Sequence, residues 1–293
     1  MLKFIFNIFF KTLIFFDKIF KKVFKKSFLI SLKEAIENSS YKKIKICNET
    51  INFFIPNKLI EWRINNFYNS EPETLEWIDQ FEKNEKIVFW DIGANIGLYS
   101  IYNSIKNKNS MTISFEPSSS NLRTLSRNIY INQLHKKIKI FSLPLSKNKN
   151  IFLNMKEENF LEGGALNSFG SELNFEGKNF DSKMIYSIFG TSINFLLENK
   201  ILEIPNYIKI DVDGIEHLIL EGAEMFLKDK KVKSILVEVN DNYIEQKNRV
   251  LAFMKKNDFI LLHKKNNVDE TSDNKYYKVF NYIFFKKNLS LPR

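Results

Sequence analysis

Two stretches of this 293-residue chain set acids and glycines at the end of an apolar run. The first is Ile87-Val88-Phe89-Trp90-Asp91-Ile92-Gly93-Ala94-Asn95-Ile96-Gly97. Four large apolar residues without polar alternation suit a strand buried on both faces. Gly93 and Gly97 then permit a tight turn and a close approach of backbone to ligand. A helix expected over 98–105 would aim its first amides into the same space, which puts a ligand site at the carboxyl end of a strand. The spacing Asp91-x-Gly93-x-x-x-Gly97 is neither a dinucleotide fingerprint nor a phosphate loop, so a small ligand other than a nucleotide phosphate is favoured. Taken alone, the turn describes an ordinary buried strand equally well.

Glu116 changes that balance. It ends the next apolar run, 19 positions beyond Gly97, the separation of one helix and one strand. A carboxylate there would face the same pocket and can accept both hydroxyls of a ribose, the alternative being a solvated strand-end acid. The second stretch, Tyr207-Ile208-Lys209-Ile210-Asp211-Val212-Asp213-Gly214-Ile215-Glu216, repeats the architecture of the first, and Glu238 lies on the strand after it. Asp211 or Asp213 could take a proton from a hydroxyl or orient an acceptor, with Lys209, Glu216 and Glu238 as supporting polar groups. Asp213 and Glu216 could also simply cap the helix that follows.

Stepping outward, strand and helix alternate from 86 to 285, which predicts a doubly wound α/β sheet. A hairpin over 43–54 and helices over 60–67 and 72–81 precede it. Within it, strands are expected over 111–115, 139–145, from 207 into the acids at 211–213, and over 234–239, with helices over 118–134, from after Gly214 to 227 and over 242–255. A closing antiparallel pair is expected over 259–263 and 276–285. A strand over 184–189 and a helix over 192–199 have no obvious place. The polar stretch 147–181, with four glycines, is too long for an ordinary connection and reads as a loop shaping an acceptor lid.

The composition bounds the rest. With 44% hydrophobic residues, the chain can bury one sizeable core, here 41–293, plus an appendage over 1–40. Cys47 alone excludes an intrachain disulfide framework, and three scattered histidines give no zinc pattern, so no metal site is expected and a reducing, cytoplasmic setting fits. The net charge of +10 comes mostly from lysine, and without an arginine-rich cluster near the glycine turn no nucleic-acid partner is expected. Residues 2–26 place Ile5, Phe6, Phe9, Leu13, Phe16, Phe20, Val23 and Phe24 on one helical face and Lys11, Lys18, Lys22 and Lys25 on the other. Such a basic amphipathic helix could lie on an anionic membrane surface, which would make the protein peripheral at the inner face, or pack on the body of the protein or a second copy. Charges interrupt it too often for a spanning helix or a secretory signal.

Two strand-end acids framing a glycine turn suit S-adenosylmethionine. Its amino group wants an acid, its carboxylate wants helix-start amides, and its ribose wants Glu116. The expected binding set is Asp91, Gly93, Asn95, Gly97 and Glu116. The chain resembles the FkbM family of methyltransferases in Trp90 to Ser100, Phe115-Glu116-Pro117, Arg127-Asn128-Ile129, Gly163 to Ser168, Ile208 to Glu216 and Leu236 to Val239. These segments occur in the expected order across about 45–290. The resemblance implies a seven-stranded Rossmann-like fold, S-adenosylmethionine as donor, and O-methylation of a small-molecule or glycan hydroxyl. Asp213 stands where the family usually shows glutamate, and Leu143-Pro144-Leu145-Ser146 replaces a more polar stretch near the adenine. Two other readings remain: a metal-dependent glycosyltransferase using the Asp211-Val212-Asp213 pattern, and a cofactor-binding membrane protein without activity.

Overall fold

The computed structural model describes residues 2–83, 85–266 and 276–287. In chain order, α1 (Leu2–Phe24) and α2 (Phe28–Ser39) precede an antiparallel hairpin of β1 (Tyr41–Ile46) and β2 (Glu49–Phe54). Three short helices follow, α3 (Lys58–Asn65), α4 (Phe67–Ser70) and α5 (Pro72–Asp79). The core then runs β3 (Ile87–Ile92), α6 (Leu98–Lys106), β4 (Ser110–Phe115), α7 (Ser119–Ile131) and β5 (Ile138–Phe141). A small antiparallel sheet is inserted next, from β6 (Ile151–Glu157), β7 (Ser168–Phe169) and β8 (Met184–Gly190). The core resumes with α8 (Ile193–Glu198), β9 (Tyr207–Ile210), α9 (Glu216–Glu221), α10 (Glu224–Leu227), β10 (Ser234–Asn240), α11 (Ile244–Lys256), β11 (Phe259–Lys265) and β12 (Val279–Lys286).

The seven-stranded sheet has the order β11-β12-β10-β9-β3-β4-β5. Its five inner-numbered strands β3, β4, β5, β9 and β10 are parallel, while β12 runs antiparallel to β10 and β11 to β12. This is the Rossmann-like sheet expected from sequence, closed by the expected antiparallel pair. From β3 the chain steps outward to β4 and β5, then returns to the other side of β3 as β9. The switch point therefore lies between the carboxyl ends of β3 and β9, where open α/β sheets hold ligands.

Every residue of β3 is buried, which explains its lack of polar alternation. Val88, Trp90 and Ile92 join Ile210, Ile219 and Val250 in the core on one face. Ile87 and Phe89 join Ile60, Ile101 and Leu125 on the other.

Three local expectations are corrected. The appendage is two helices, not one: Lys25 takes a left-handed conformation (φ 59) and Ser27 becomes the N-cap of α2. The strand expected over 139–145 stops at Phe141, because Pro144 has no N–H for a ladder, and Leu145 instead bridges Thr191. The stretch 147–181 is not simply a loop, since it contains β6 and β7, and the strand over 184–189 is β8, which pairs with the other side of β6. Polar Asn154, Lys156 and Glu157 hide β6 in the sequence, and its partner β8 comes only after β7 and the segment that follows it.

Candidate active site

A cavity of about 920 Å³ opens at the switch point, lined by Gly93, Asn95 and Glu116 on one side and by Lys209, Asp211, Asp213 and Glu238 on the other. That volume lies at the upper end of the range of about 300–1,000 Å³ for small-molecule sites. Seven of the ten residues singled out from sequence thus share one space. Asp91, Gly97 and Glu216 do not line it.

Register brings the two halves together. Ile92, Ile210 and Val237 are aligned across β3, β9 and β10. The residues that follow them, Gly93, Asp211 and Glu238, therefore emerge side by side, and Asn281 of β12 stands opposite Glu238. One rung lower, Asp91 is the partner of Lys209.

On the first side, Gly93 and Ala94 donate their N–H groups to the Phe115 carbonyl, which bends the chain over the end of β4. The Glu116 carboxyl accepts from the N–H of Asn95 (2.7 Å) and of Ser118 (2.9 Å). Burial pushes Glu116 up to about 8 in spite of those two hydrogen bonds. Gly97 caps α6 with φ 88, and a Cβ there would lie 2.5 Å from Leu125 Cδ1, so this glycine lets α7 pack against the turn. Asp91 is fully buried; its Oδ2 accepts from Ser100 Oγ at 2.5 Å, while Oδ1 has no partner among the described residues. Burial raises Asp91, with Lys209 opposing the shift.

On the second side, the buried Lys209 ammonium donates to Asp211 Oδ2 at 2.5 Å and lies 4.9 Å from the Tyr99 ring centre. Burial works against its charge, but Asp211, Glu71 and Asp91 outweigh it and raise the lysine. Asp213, with φ 65, accepts on Oδ2 from the N–H of Leu166 (2.7 Å) and Asn167 (3.3 Å). Burial, followed by repulsion from Asp211, pushes it up to about 7. Glu238 is raised well above the carboxylate range by burial and then by Asp211, Asp213 and Glu71. Asp211, Asp213 and Glu238 each bring a carboxylate oxygen within 4.8 Å of the others, so among the described residues these three could hold a metal. Glu216, the first residue of α9, does not cap the helix; it accepts from the N–H of Val212 and Gly214 ahead of it and from Gln246, which fixes the 211–216 turn from behind.

The segment 163–168 straps the two sides together. The Gly164 carbonyl accepts from Asn95 Nδ2 (2.7 Å) and Asn121 Nδ2 (3.1 Å), and Arg63 Nε donates to the Gly163 carbonyl. Its far end is the Leu166–Asn167 backbone that Asp213 holds. Sequence reasoning missed three more lining residues, Glu71, Tyr99 and Asn281. Glu71 Oε2 accepts from Thr74 Oγ1 (3.0 Å) and Asn281 Nδ2 (3.2 Å), and burial raises both Glu71 and Tyr99. Glu71 precedes Pro72 and reads as a helix start, so only its place beside an acid-rich sheet edge could have marked it. Tyr99 lies within the Trp90–Ser100 stretch that resembles the family, and that resemblance is its signal in the sequence.

Fold and site together define a Rossmann-like methyltransferase. A family model described as the methyltransferase FkbM domain matches residues 91–261, more than half of the chain, and the protein belongs to that family. Among solved structures it is similar to an FkbM methyltransferase from Methylobacillus flagellatus KT, with 17% identity and a TM-score of 0.45, covering 70% of this chain and 44% of that one. The chain thus spans under half the length of that relative. It is also similar to precorrin-6y C5,15-methyltransferase from Geobacter metallireducens (14% identity, TM-score 0.43, 74% of this chain and 87% of that one). A third likeness is to M. capricolum TrmK in complex with S-adenosyl-homocysteine (12% identity, TM-score 0.40, 73% and 67%). No curated protein matches the sequence.

The methyl donor of this family is S-adenosylmethionine, and the residues present fit it. Asn95, which lines the cavity, has its Oδ1 buried without a partner among the described residues, so an ammonium group would supply the donor it lacks, while Asp91 sits behind the wall and adds only its charge. Leu98 and Tyr99 bring the start of α6, with its free amides, to the cavity wall. Glu116 keeps spare lone pairs for a diol beyond its two backbone hydrogen bonds.

Proposed function

We propose that this protein is an S-adenosylmethionine-dependent O-methyltransferase that methylates a hydroxyl of a sugar, glycan or natural product. The observation that carries the proposal is Asp213: it faces the cavity with one oxygen tied to the strap and Oδ1 left over, and burial with Asp211 beside it pushes its carboxyl up to about 7. A group with that value can take a hydroxyl proton at neutral pH.

When bound, the donor supplies a methyl group already activated on a sulfonium. What remains for the chain is alignment, exclusion of water and movement of one proton. Gly93, Asn95 and Glu116 hold the donor on one side of the switch point, and Asp211 and Glu238 orient the acceptor on the other. The strap covers the space between them and keeps Asp213 Oδ1 turned to the acceptor oxygen, whose proton it receives. Lys209 compensates the crowd of acids and pairs with Asp211, which leaves Asp213 as the acid that changes protonation state.

The test is methyl transfer from labelled donor by the full chain to a panel of hydroxyl acceptors, with RNA and amine acceptors alongside. Label in sugars or other alcohols is expected. Label confined to RNA or amines overturns the proposal, and so does donor binding without turnover on any hydroxyl. Thermal stabilisation by a nucleotide sugar with manganese, and none by S-adenosylhomocysteine, would instead favour a glycosyltransferase.

A further inference from the structure

We infer that α1 lies in the surface of an anionic lipid bilayer and holds the catalytic domain against it. The helix packs against α2, and the joint is specific: Asp17, buried between them, accepts from Ser27 Oγ (2.8 Å) and the Leu29 N–H (3.2 Å) and pairs with Lys21 (3.3 Å). The remainder of its apolar surface is in water. Phe6, Phe9 and Phe16 are 62%, 60% and 55% exposed, and Ile5, Ile19 and Val23 extend the same stripe. The rings of Phe6 and Phe10 stack on each other rather than on the domain. A continuous aromatic face of this kind exceeds what a lone molecule leaves uncovered, so something covers it.

Charge identifies the cover. Residues 2–26 contain seven lysines and a single acid, Asp17, and that acid is already engaged by Ser27, Leu29 and Lys21. Two copies pairing through this helix would bring like charges along both rims of the contact and no acids to answer them. Anionic headgroups answer them directly, while the phenyl rings enter the acyl boundary. Among the described residues no helix is long and apolar enough to cross a membrane, so α1 lies along the surface.

The attachment is rigid enough to matter. Glu37 at the end of α2 pairs with Arg123 and Arg127 of α7, and Arg123 also grips Glu162, next to the strap. The Arg127 guanidinium stacks 3.9 Å from the Phe54 ring centre, so the hairpin is held in the same cluster. A bilayer under α1 thus fixes the domain's orientation through α2 instead of tethering it loosely.

The inference does not depend on methyl transfer and is tested without donor or acceptor. The full chain is sedimented with vesicles of phosphatidylcholine alone or mixed with phosphatidylglycerol. It is expected to bind only the mixed vesicles and to be released by high salt. Lys11→Gln and Lys18→Gln should each weaken binding about five-fold. The double variant Phe9→Ser with Phe16→Ser should lose it, with an unchanged unfolding midpoint showing that the domain is intact. Failure to bind the mixed vesicles overturns the inference. So does a dimer that forms without vesicles and separates in the Phe9→Ser, Phe16→Ser variant, because a second copy would then be the cover.

Discussion

A Cβ on Gly93 would sit 1.8 Å from the carbonyl oxygen of Asp211, so the first ligand turn and the second are in backbone contact through a missing side chain. Gly93 also holds φ 84, a conformation costly for any other residue. Gly93→Ala should cost about 2–4 kcal/mol by overpacking and strain together, and should abolish binding of S-adenosylhomocysteine. Gly97→Ala meets only the movable end of Leu125 and should cost about half as much. Urea unfolding and calorimetric titration of both variants check this ordering, and equal losses would contradict it.

Asp213→Asn keeps an oxygen for the Leu166 and Asn167 amides but removes the proton acceptor. Turnover should fall about 10²–10⁴-fold while donor affinity changes little. Asp211→Asn frees Lys209 and should lower turnover as well. If both variants turn over like the parent protein, neither acid is the base.

Donor affinity should depend on pH through Glu116. Burial pushes the Glu116 carboxyl up to about 8, and ribose hydroxyls favour the ionised carboxylate, so the donor-bound value is lower. Binding therefore releases a proton below about pH 8, and affinity should rise about ten-fold per unit toward that pH and level off above it. Titrations across neutral pH would show it, and Glu116→Gln should flatten the profile. A parent protein with flat affinity would remove Glu116 from the donor site.

Lys209→Met leaves Asp211, Glu71 and Asp91 without their shared cation in a buried setting. Removing one partner of such a group costs about 3–5 kcal/mol, far more than a surface lysine. Chemical denaturation of this variant beside Lys86→Met, whose pair with Glu203 is exposed, makes the comparison. Similar losses in the two would mean that Lys209 is not the compensating charge.

What the sequence conveyed was local or periodic. The unbroken run at Ile87–Ile92 marked a two-sided buried strand, and the spacing of Glu116 from Gly97 marked the neighbouring strand end. Both hold in the sheet. Contacts between segments far apart in the chain were not legible. Nothing near Asn281 indicates that it would stand opposite Glu238, and nothing near Gly164 indicates that it would receive Asn95. β6 was hidden because its polar residues resemble a loop until β8 is paired with it. Glu216 shows a further limit: an acid at a helix start reads equally as a cap or a substrate contact, and only its bonds to the Val212 and Gly214 amides show that it holds the preceding turn instead.

The side-by-side emergence of Gly93, Asp211 and Glu238 makes the sheet a ruler. Adjacent strands lie about 4.8 Å apart, so the reach from donor turn to acceptor acids is counted in strands and cannot stretch by loop movement. Changes in 147–181 can alter which acceptor enters, yet the span its hydroxyl must meet stays the same. A new substrate has to fit that gauge before any loop can select it.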